Sequence, residues 1–391
     1  MPRIASETGS IINSSRFRAL LFQALILAAV LAGAAYVAGN TLHNLRVRGI
    51  ATGFRFLSSE SGFGIIQHLV AYDESSSFGR VFLVGLLNTM LVSVLGIVGA
   101  TALGFIVGIS RLSRNWLVSK LAAAYIETFR NIPLLLQIFF WYFGVLRALP
   151  PPGRSITLGE TVFLNIRGVY LPSPVFEEGF GLVAFSALAA LAVIGWLLVR
   201  SRRHRSESGL PLPGLRIFIG LSVIFPVAVF FLRGSPVSFL IPRLKGFNFT
   251  GGMVLIPEFA ALLAALCIYT AAFIAEIVRA GIQSVETGQT EAARTLGLGS
   301  WQRLRLVVLP QALRLIIPPL TNQYLNLTKN SSLAAAIGYP DLVSVFAGTT
   351  LNQTGQAVEV IAITMGVYLT ISLTISLGMS RYNRRTAWAG R

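Results

Sequence analysis

The placement of charge constrains this chain more than any other feature. Eight stretches carry at most two charged residues each: 19–39, 81–109, 121–146, 182–199, 215–232, 258–278, 314–338 and 359–380. A helix needs ~20 mostly apolar residues to cross ~30 Å of hydrocarbon. Lipid offers the backbone no hydrogen-bond partners, so such a run must satisfy itself as helix. The 182–199 and 215–232 runs are short but have almost no charge. Only 12% of the 391 residues are charged, against about 25% in an average soluble chain. The expected fold is therefore an all-α polytopic membrane protein with about eight transmembrane helices.

The formal charge is +17, from 32 basic and 15 acidic residues. A nucleic-acid binder needs a solvated, polar basic face, and this composition cannot supply one. No nucleic acid is expected as a partner. The basic residues fall in loops instead, where they orient a membrane protein. With an inside N-terminus and alternating spans, the inside segments hold Arg3, Arg16, Arg18, then Arg111, Arg114, Lys120, then the 200–216 group, then Arg279 to Arg314, then Arg381 to Arg391. That is twenty basic residues, against ten in the longer outside loops. Both termini are predicted to be cytoplasmic. The Arg-Ser-Arg-Arg-His-Arg run at 200–205 reads as an anchor of that topology.

The first run admits a second reading, as a cleaved signal peptide ending near Ala32, Ala34 and Ala35. A signal core is usually ~7–15 residues, and this run is longer. A retained helix is the expectation.

Catalytic chemistry is sparse. Cys267 is the single cysteine, so no internal disulfide or Cys-x-x-Cys pair exists. His43, His68 and His204 have no metal-ligand spacing. Lysine occurs only at 120, 245 and 329, never after glycine, so the Gly-Lys-Ser/Thr phosphate loop is missing. No cofactor or metal is expected. A membrane enzyme is a poor fit, and any dependence on ATP requires another chain.

Proline-rich segments Pro150-Pro151-Pro152-Gly153 and Leu171-Pro172-Ser173-Pro174 interrupt helix in the outside loops. They read as ordered extracytoplasmic connections.

The segment from Arg279 to Pro310 is too polar to cross a membrane and too patterned for a linker. Gly288 is expected to break the preceding helix. Thr290 suits an N-cap, which would put Glu291 in the first turn of a new helix. Ala292 and Ala293 favour helix and allow close approach. Arg294 is spaced to pair with Glu291, and Gly297 suits a left-handed C-terminal cap. Ser300 would cap a second helix with Trp301, Leu304 and Val308 on one face. Pro310 would kink or end it. A short, rigid helix facing the cytoplasm follows.

Glu291-Ala292-Ala293, Gly297, Val307 and Leu309-Pro310 resemble the EAA motif of bacterial ABC importer permeases. The family usually has Ile where this chain has Val307. The resemblance implies that Glu291, Ala292, Ala293, Arg294 and Gly297 belong to the coupling helix, which docks on a cytoplasmic ATPase. Tyr269 to Ile282, Pro310-Gln311-Ala312-Leu313-Arg314, Lys329-Asn330-Ser331-Ser332-Leu333 and Arg130-Asn131-Ile132-Pro133 to Gln137 are similar to the polar amino acid subfamily.

The resemblance further implies a type I importer permease core of five spans in 81–147 and 257–386, with the coupling loop at 282–312. Residues 1–80 would add an N-terminal tail, the first span and an extracytoplasmic loop. Residues 148–256 would be inserted loops and two spans. This enlarged layout resembles the general L-amino acid permeases. Implied partners are ATP-binding ABC subunits, a second permease subunit, an extracytoplasmic amino-acid-binding protein and membrane lipid. The implied location is the bacterial cell inner membrane, with ATP hydrolysed by a partner and not by this chain.

Polar residues inside the spans are the remaining candidates, since charge in hydrocarbon is costly. Glu127 and Arg130 are spaced to pair, and Pro133 should bend the third span. They fit a structural pair or a gate equally. Glu276 and Arg279 read as a structural pair. Asn322, Asn326, Lys329 and Asn330 form one helical stripe. It offers donors and acceptors to a zwitterionic amino acid, or to another permease subunit at a helix interface. The rival class is an ion-gradient-driven secondary transporter of small solutes. It would favour buried coupling carboxylates, and span carboxylates here are few and near the inner edge.

Overall fold

The structure is a computed structural model. It describes residues 15–47, 49, 52–208 and 214–388. Arg3, Arg48 and Arg391, counted above for orientation, lie outside the described residues.

Apolar helices occupy all eight expected positions. Six are long and apolar enough to cross a membrane: Phe17–Thr41, Phe78–Arg111, Phe180–Ser201, Pro257–Gln283, Ser300–Ile337 and Ala357–Arg384. A seventh is broken, Trp116–Asn131 plus Leu134–Leu146, and the eighth is the shorter Ile217–Leu232. In chain order the main helices are α1 (Ser15–Val47), α2 (Phe78–Arg111), α3 (Trp116–Asn131) and α4 (Leu134–Phe139). Next come α5 (Phe180–Ser208), α6 (Leu215–Leu232), α7 (Pro257–Gln283), α8 (Thr287–Thr295) and α9 (Ser300–Arg303). The last three are α10 (Leu309–Asn330), α11 (Leu351–Thr354) and α12 (Ala357–Trp388).

The chain divides into two compact units, Met1–Val94 with Ala280–Arg391, and Leu95–Arg279. The core of the first joins Phe56, Ile65, Phe78, Val81 and Val84 to Leu342, Val345, Phe346 and Val360. Phe346 meets Phe56 and Phe82 ring to ring, at 6.3 and 5.2 Å. Thus the loop before α2 and the segment after α10 bury one another. The α1 side chains from Leu20 to Val37 remain exposed, as lipid-facing residues should.

In the second unit, α2 and α7 touch along a glycine seam. A Cβ at Gly104 would lie 2.6 Å from Ile274 Cβ, and one at Gly108 2.7 Å from the Ala275 carbonyl oxygen. Small residues four apart let two backbones approach, and in lipid this close packing replaces the hydrophobic driving force.

Pro133 has a larger effect than a bend. The helices on either side of it meet at 105°. The break frees carbonyls at the end of α3, and the buried Gln137 side chain donates to two of them, Phe129 and Ile132, each at 3.0 Å.

The 150–256 segment is more ordered than a set of connections. Its described residues hold eight short strands, β1 (Ile156–Leu158), β2 (Val162–Asn165), β3 (Gly168–Leu171), β4 (Ser173–Phe176), β5 (Val237–Leu240), β6 (Arg243–Lys245), β7 (Asn248–Thr250) and β8 (Met253–Leu255). They form an antiparallel sheet β1-β2-β3-β8 and the pairs β4-β5 and β6-β7. Tyr170 pairs with Val254 across β3 and β8. Phe249 packs on Phe163 and Tyr170 at 4.6 and 4.7 Å. The two ends of the insertion are thereby stitched together around the α5–α6 hairpin.

Gly104→Leu should clash with Ile274 and destabilise the unit by about 1–3 kcal/mol, the usual cost of overpacking. The check is the yield of monodisperse protein in detergent, with Gly366→Leu, where nothing lies near a built Cβ, as the control.

Candidate functional site

The expected cytoplasmic loop forms a helix, with different bounds from those predicted. Helix α7 ends at Gln283, and α8 starts at Thr287 after Glu286 in an extended conformation. Gly288 and Thr290 therefore lie inside α8, and Thr290 is not its N-cap. Glu291 consequently sits in the second turn. The reason is positional: glycine costs little in a first turn, where the N–H groups lack helical partners anyway.

The C-terminus matches the expectation. Gly297 has φ +75°. Its N–H donates to the Arg294 carbonyl at 2.9 Å, and the Leu298 N–H donates to the Ala293 carbonyl at 3.1 Å. This double closure is a Schellman cap. The Thr295 hydroxyl adds a bond to the Glu291 carbonyl at 2.9 Å.

Ala293 is buried and α8 packs on the 304–308 turn. Glu291, Ala292, Arg294 and Gly297 are exposed. Among the described residues Glu291 and Arg294 form no ion pair, contrary to their spacing. Leu296 and Trp301 are exposed too, at 80% and 69%. Trp301 thus does not share the inward face with the buried Val308. An exposed apolar pair beside a charged helix is a surface suited to protein contact.

The second helix also departs from expectation. Gly299, not Ser300, is its N-cap, and Gln302 accepts from the Gly299 N–H at 3.1 Å. Pro310 does not end the helix. Residues Leu304–Val308 form a π-helical turn just before it. Widening the turn accommodates the ring and the missing donor. One helix therefore runs from the loop into the span, Ser300–Ile337.

On α10, Asn322, Asn326 and Lys329 are exposed and Asn330 is half-buried. Ile316, Leu320, Leu327 and Thr328 are buried. The stripe thus faces away from the packed side of its own helix.

Of the span charges, Glu276 and Arg279 pair as expected, with Arg279 Nε donating to Glu276 at 2.9 Å. Glu127 and Arg130 do not. Arg130 lies over the Phe273 ring at 5.2 Å, a cation–π contact that replaces the ion pair.

Sequence reasoning passed over a buried polar cluster in the first unit. The Asn88 side chain donates to the carbonyls of Gln67 and Pro340 at 2.8 and 2.9 Å. The Tyr339 hydroxyl donates to the Asn88 carbonyl at 3.2 Å. Thr89 Oγ accepts from the Leu342 N–H at 3.0 Å. Asp341 is fully buried and accepts from the Ser344 N–H at 2.8 Å. Burial pushes its carboxyl up to about 7. Gly338-Tyr339-Pro340-Asp341 marks a turn in the sequence, but a turn is ordinarily exposed, so nothing signalled this depth. Among the described residues the buried side-chain oxygens of Gln67 and Asn88 have no protein partner.

A broken third span, a capped helix presented between spans and a polar stripe on the next span form one pattern. Residues 208–387 match the family model described as the inner membrane component of binding-protein-dependent transport systems. The chain is 55% identical over 370 residues to the amino-acid ABC transporter permease protein YhdX of Escherichia coli K12, covering 95% of this chain and 94% of that one. The chain belongs to this permease family. It is 47% identical to the general L-amino acid transport system permease protein AapQ of Rhizobium johnstonii, over 96% of this chain and 94% of the relative. It is 41% identical to the glutamate/glutamine/aspartate/asparagine transport system permease protein BztB of Rhodobacter capsulatus, over 98% and 97%.

The permease is a multi-pass inner-membrane protein that works with ATP-binding and substrate-binding partners, as its family does. These matches favour the importer over the ion-gradient transporter.

The Asp341 carboxyl holds its proton to higher pH when folded than when unfolded, where the carboxyl titrates at 3.8. Its folded state therefore loses stability as pH rises from about 4 to about 7. Asp341→Asn should remove that slope. Melting midpoints of both proteins in detergent should differ more at pH 7.5 than at pH 4.5.

Proposed function

We propose that the permease imports polar L-amino acids of broad range, as one of two permease subunits in an ABC importer. The full-length likeness to relatives named for general L-amino acid and for glutamate, glutamine, aspartate and asparagine transport supports the substrate class. Residues 81–147 and 257–386 act as the five-span core. Residues 1–80 and 148–256 are additions to it. Both termini and the 282–312 loop face the cytoplasm, on the distribution of arginine.

Helix α8 is the coupling element. The exposed face of Glu291, Ala292 and Arg294, held by the Schellman cap at Gly297, enters a groove of the ATPase subunit. Ala293 faces inward and ties that helix to the 304–308 turn. The continuous helix from Ser300 to Ile337 then carries motion into the span that bears the polar stripe. Docking and substrate bias the same two-state element, as linkage requires.

The observation that carries the reading is this unbroken run from a capped cytoplasmic helix to the polar stripe. The double variant Glu291→Lys, Gly297→Pro reverses the charge and removes the cap. It should abolish co-purification of the ATPase subunits and ATP-driven uptake, while the permease itself still folds. Persistence of both would overturn the docking role.

Asn322, Asn326, Lys329 and Asn330 line the translocation path, and Glu127 and Arg130, on the third span before its break at Pro133, are the further candidates for it. Lys329→Ala and Asn330→Ala should each lower uptake of at least one amino acid about ten-fold or more, the cost of removing a hydrogen bond to a charged group. ATP hydrolysis by the complex should continue. A role at the subunit interface would instead lower recovery of the assembled complex.

A further inference from the structure

The α5–α6 hairpin lies outside the proposed five-span core. Its two helices leave a hollow of about 730 Å³ between them, lined by Ala189, Val193, Leu197, Phe218, Leu221 and Phe225. Ser222 also lines it, and its hydroxyl donates to the Phe218 carbonyl at 2.8 Å. The interior is therefore apolar with its one hydroxyl satisfied. Val193, Phe218, Leu221 and Phe225 are each about half exposed, so the hollow opens sideways as a groove.

One end of the groove is different. Arg200 closes it, with its guanidinium 5.3 Å from the centre of the Trp196 ring. That contact holds the cation at the rim instead of leaving it to sweep through water. Between residues 179 and 257 the sequence has eight basic residues and a single acidic one, Glu207. Five of the eight, Arg200, Arg202, Arg203, Arg205 and Arg216, belong to this end of the hairpin.

The dimensions select the occupant. From Ala189 to Arg200 the helix rises ~16 Å at 1.5 Å per residue. One leaflet of a ~30 Å hydrocarbon core is ~15 Å deep. The groove thus matches an acyl chain from a single leaflet, with a fixed guanidinium where that chain's phosphate would lie. Arginine pairs with phosphate in a two-pronged geometry. Basic clusters flanking a span attract anionic lipid in general. A helix from another subunit would gain from Arg200 only with an acidic group at that end, whereas every anionic phospholipid carries its phosphate there.

We infer that the α5–α6 groove is a binding site for an anionic phospholipid, with an acyl chain along Val193 and Leu221 and the phosphate on Arg200. The cytoplasmic leaflet as the source rests on the orientation proposed above. The bound lipid fills the hollow between the two added helices and so steadies the hairpin.

The test is native mass spectrometry of the full-length permease in its assembled complex, delipidated in detergent and titrated with dioleoylphosphatidylglycerol or dioleoylphosphatidylcholine. Wild type should retain the anionic lipid about five-fold more tightly, the effect of one basic residue at a membrane surface. Arg200→Gln should erase the preference, and Val193→Trp should remove retention of both lipids. Equal retention of the two lipids by wild type, or either variant behaving as wild type, would overturn the site. Arg200 is exposed, so its variant tests the proposal even if Val193→Trp fails to fold. Side is read separately, from a membrane-impermeant maleimide on Ser201→Cys in a Cys267→Ser background. Labelling from outside in intact cells would overturn the cytoplasmic assignment, and with it that leaflet as source, while leaving the lipid measurement intact.

Discussion

A backbone in hydrocarbon has no water to bond to, so each departure from regular helix must be repaired from within the protein. This chain departs from regular helix at two places along its spans and at a third in the 282–312 loop, and each repair is visible. At Pro133 the third span breaks, and Gln137 takes up the freed carbonyls of Phe129 and Ile132. Before Pro310 the helix widens into a π turn and runs on. After Gly338 it stops, and Thr89 and Asp341 accept from the freed N–H groups of Leu342 and Ser344. The repairing side chains are themselves buried, which is how polar groups come to lie inside an apolar protein.

Close backbone approach is the second organising device. The seam of Gly104 and Gly108 against α7 brings two long apolar helices together without bulky side chains. In the other unit Gly85 admits the backbone of Leu342 in the same way, since a Cβ there would lie 2.9 Å from its Cα. Packing of this kind is sensitive to single methyl groups.

Surface and interior share the arginines unevenly. Arg130 and Arg200 rest on aromatic rings, at 5.2 Å from the centre of Phe273 and 5.3 Å from that of Trp196. Arg279 pairs with Glu276. Arg294 and its neighbour Glu291 are exposed and form no ion pair among the described residues, on the helix proposed to couple to the ATPase. The same residue type therefore does different work according to what the fold puts beside it.

The eight apolar runs and the polar stripe at Asn322, Asn326, Lys329 and Asn330 were legible in the sequence. So was the cap at Gly297, because each depends on local period or on one residue's allowed φ. The start of α8 was misjudged, since Gly288 and Thr290 are compatible with both a cap and a first turn and only the extended Glu286 decides between them. The pairing of Glu127 with Arg130 failed because Phe273, more than 140 residues away in the sequence, offered Arg130 a ring. The β strands of the insertion were missed because they are three or four residues long and pair across the α5–α6 hairpin. The Asp341 cluster was missed for the same reason: it joins α2 to a turn some 250 residues later. Hydropathy and spacing act along the chain and so determine by themselves where it crosses the membrane and where it turns. Which charges pair, which polar groups are buried and which grooves stay open depend on contacts between distant segments, and only the tertiary structure decides those.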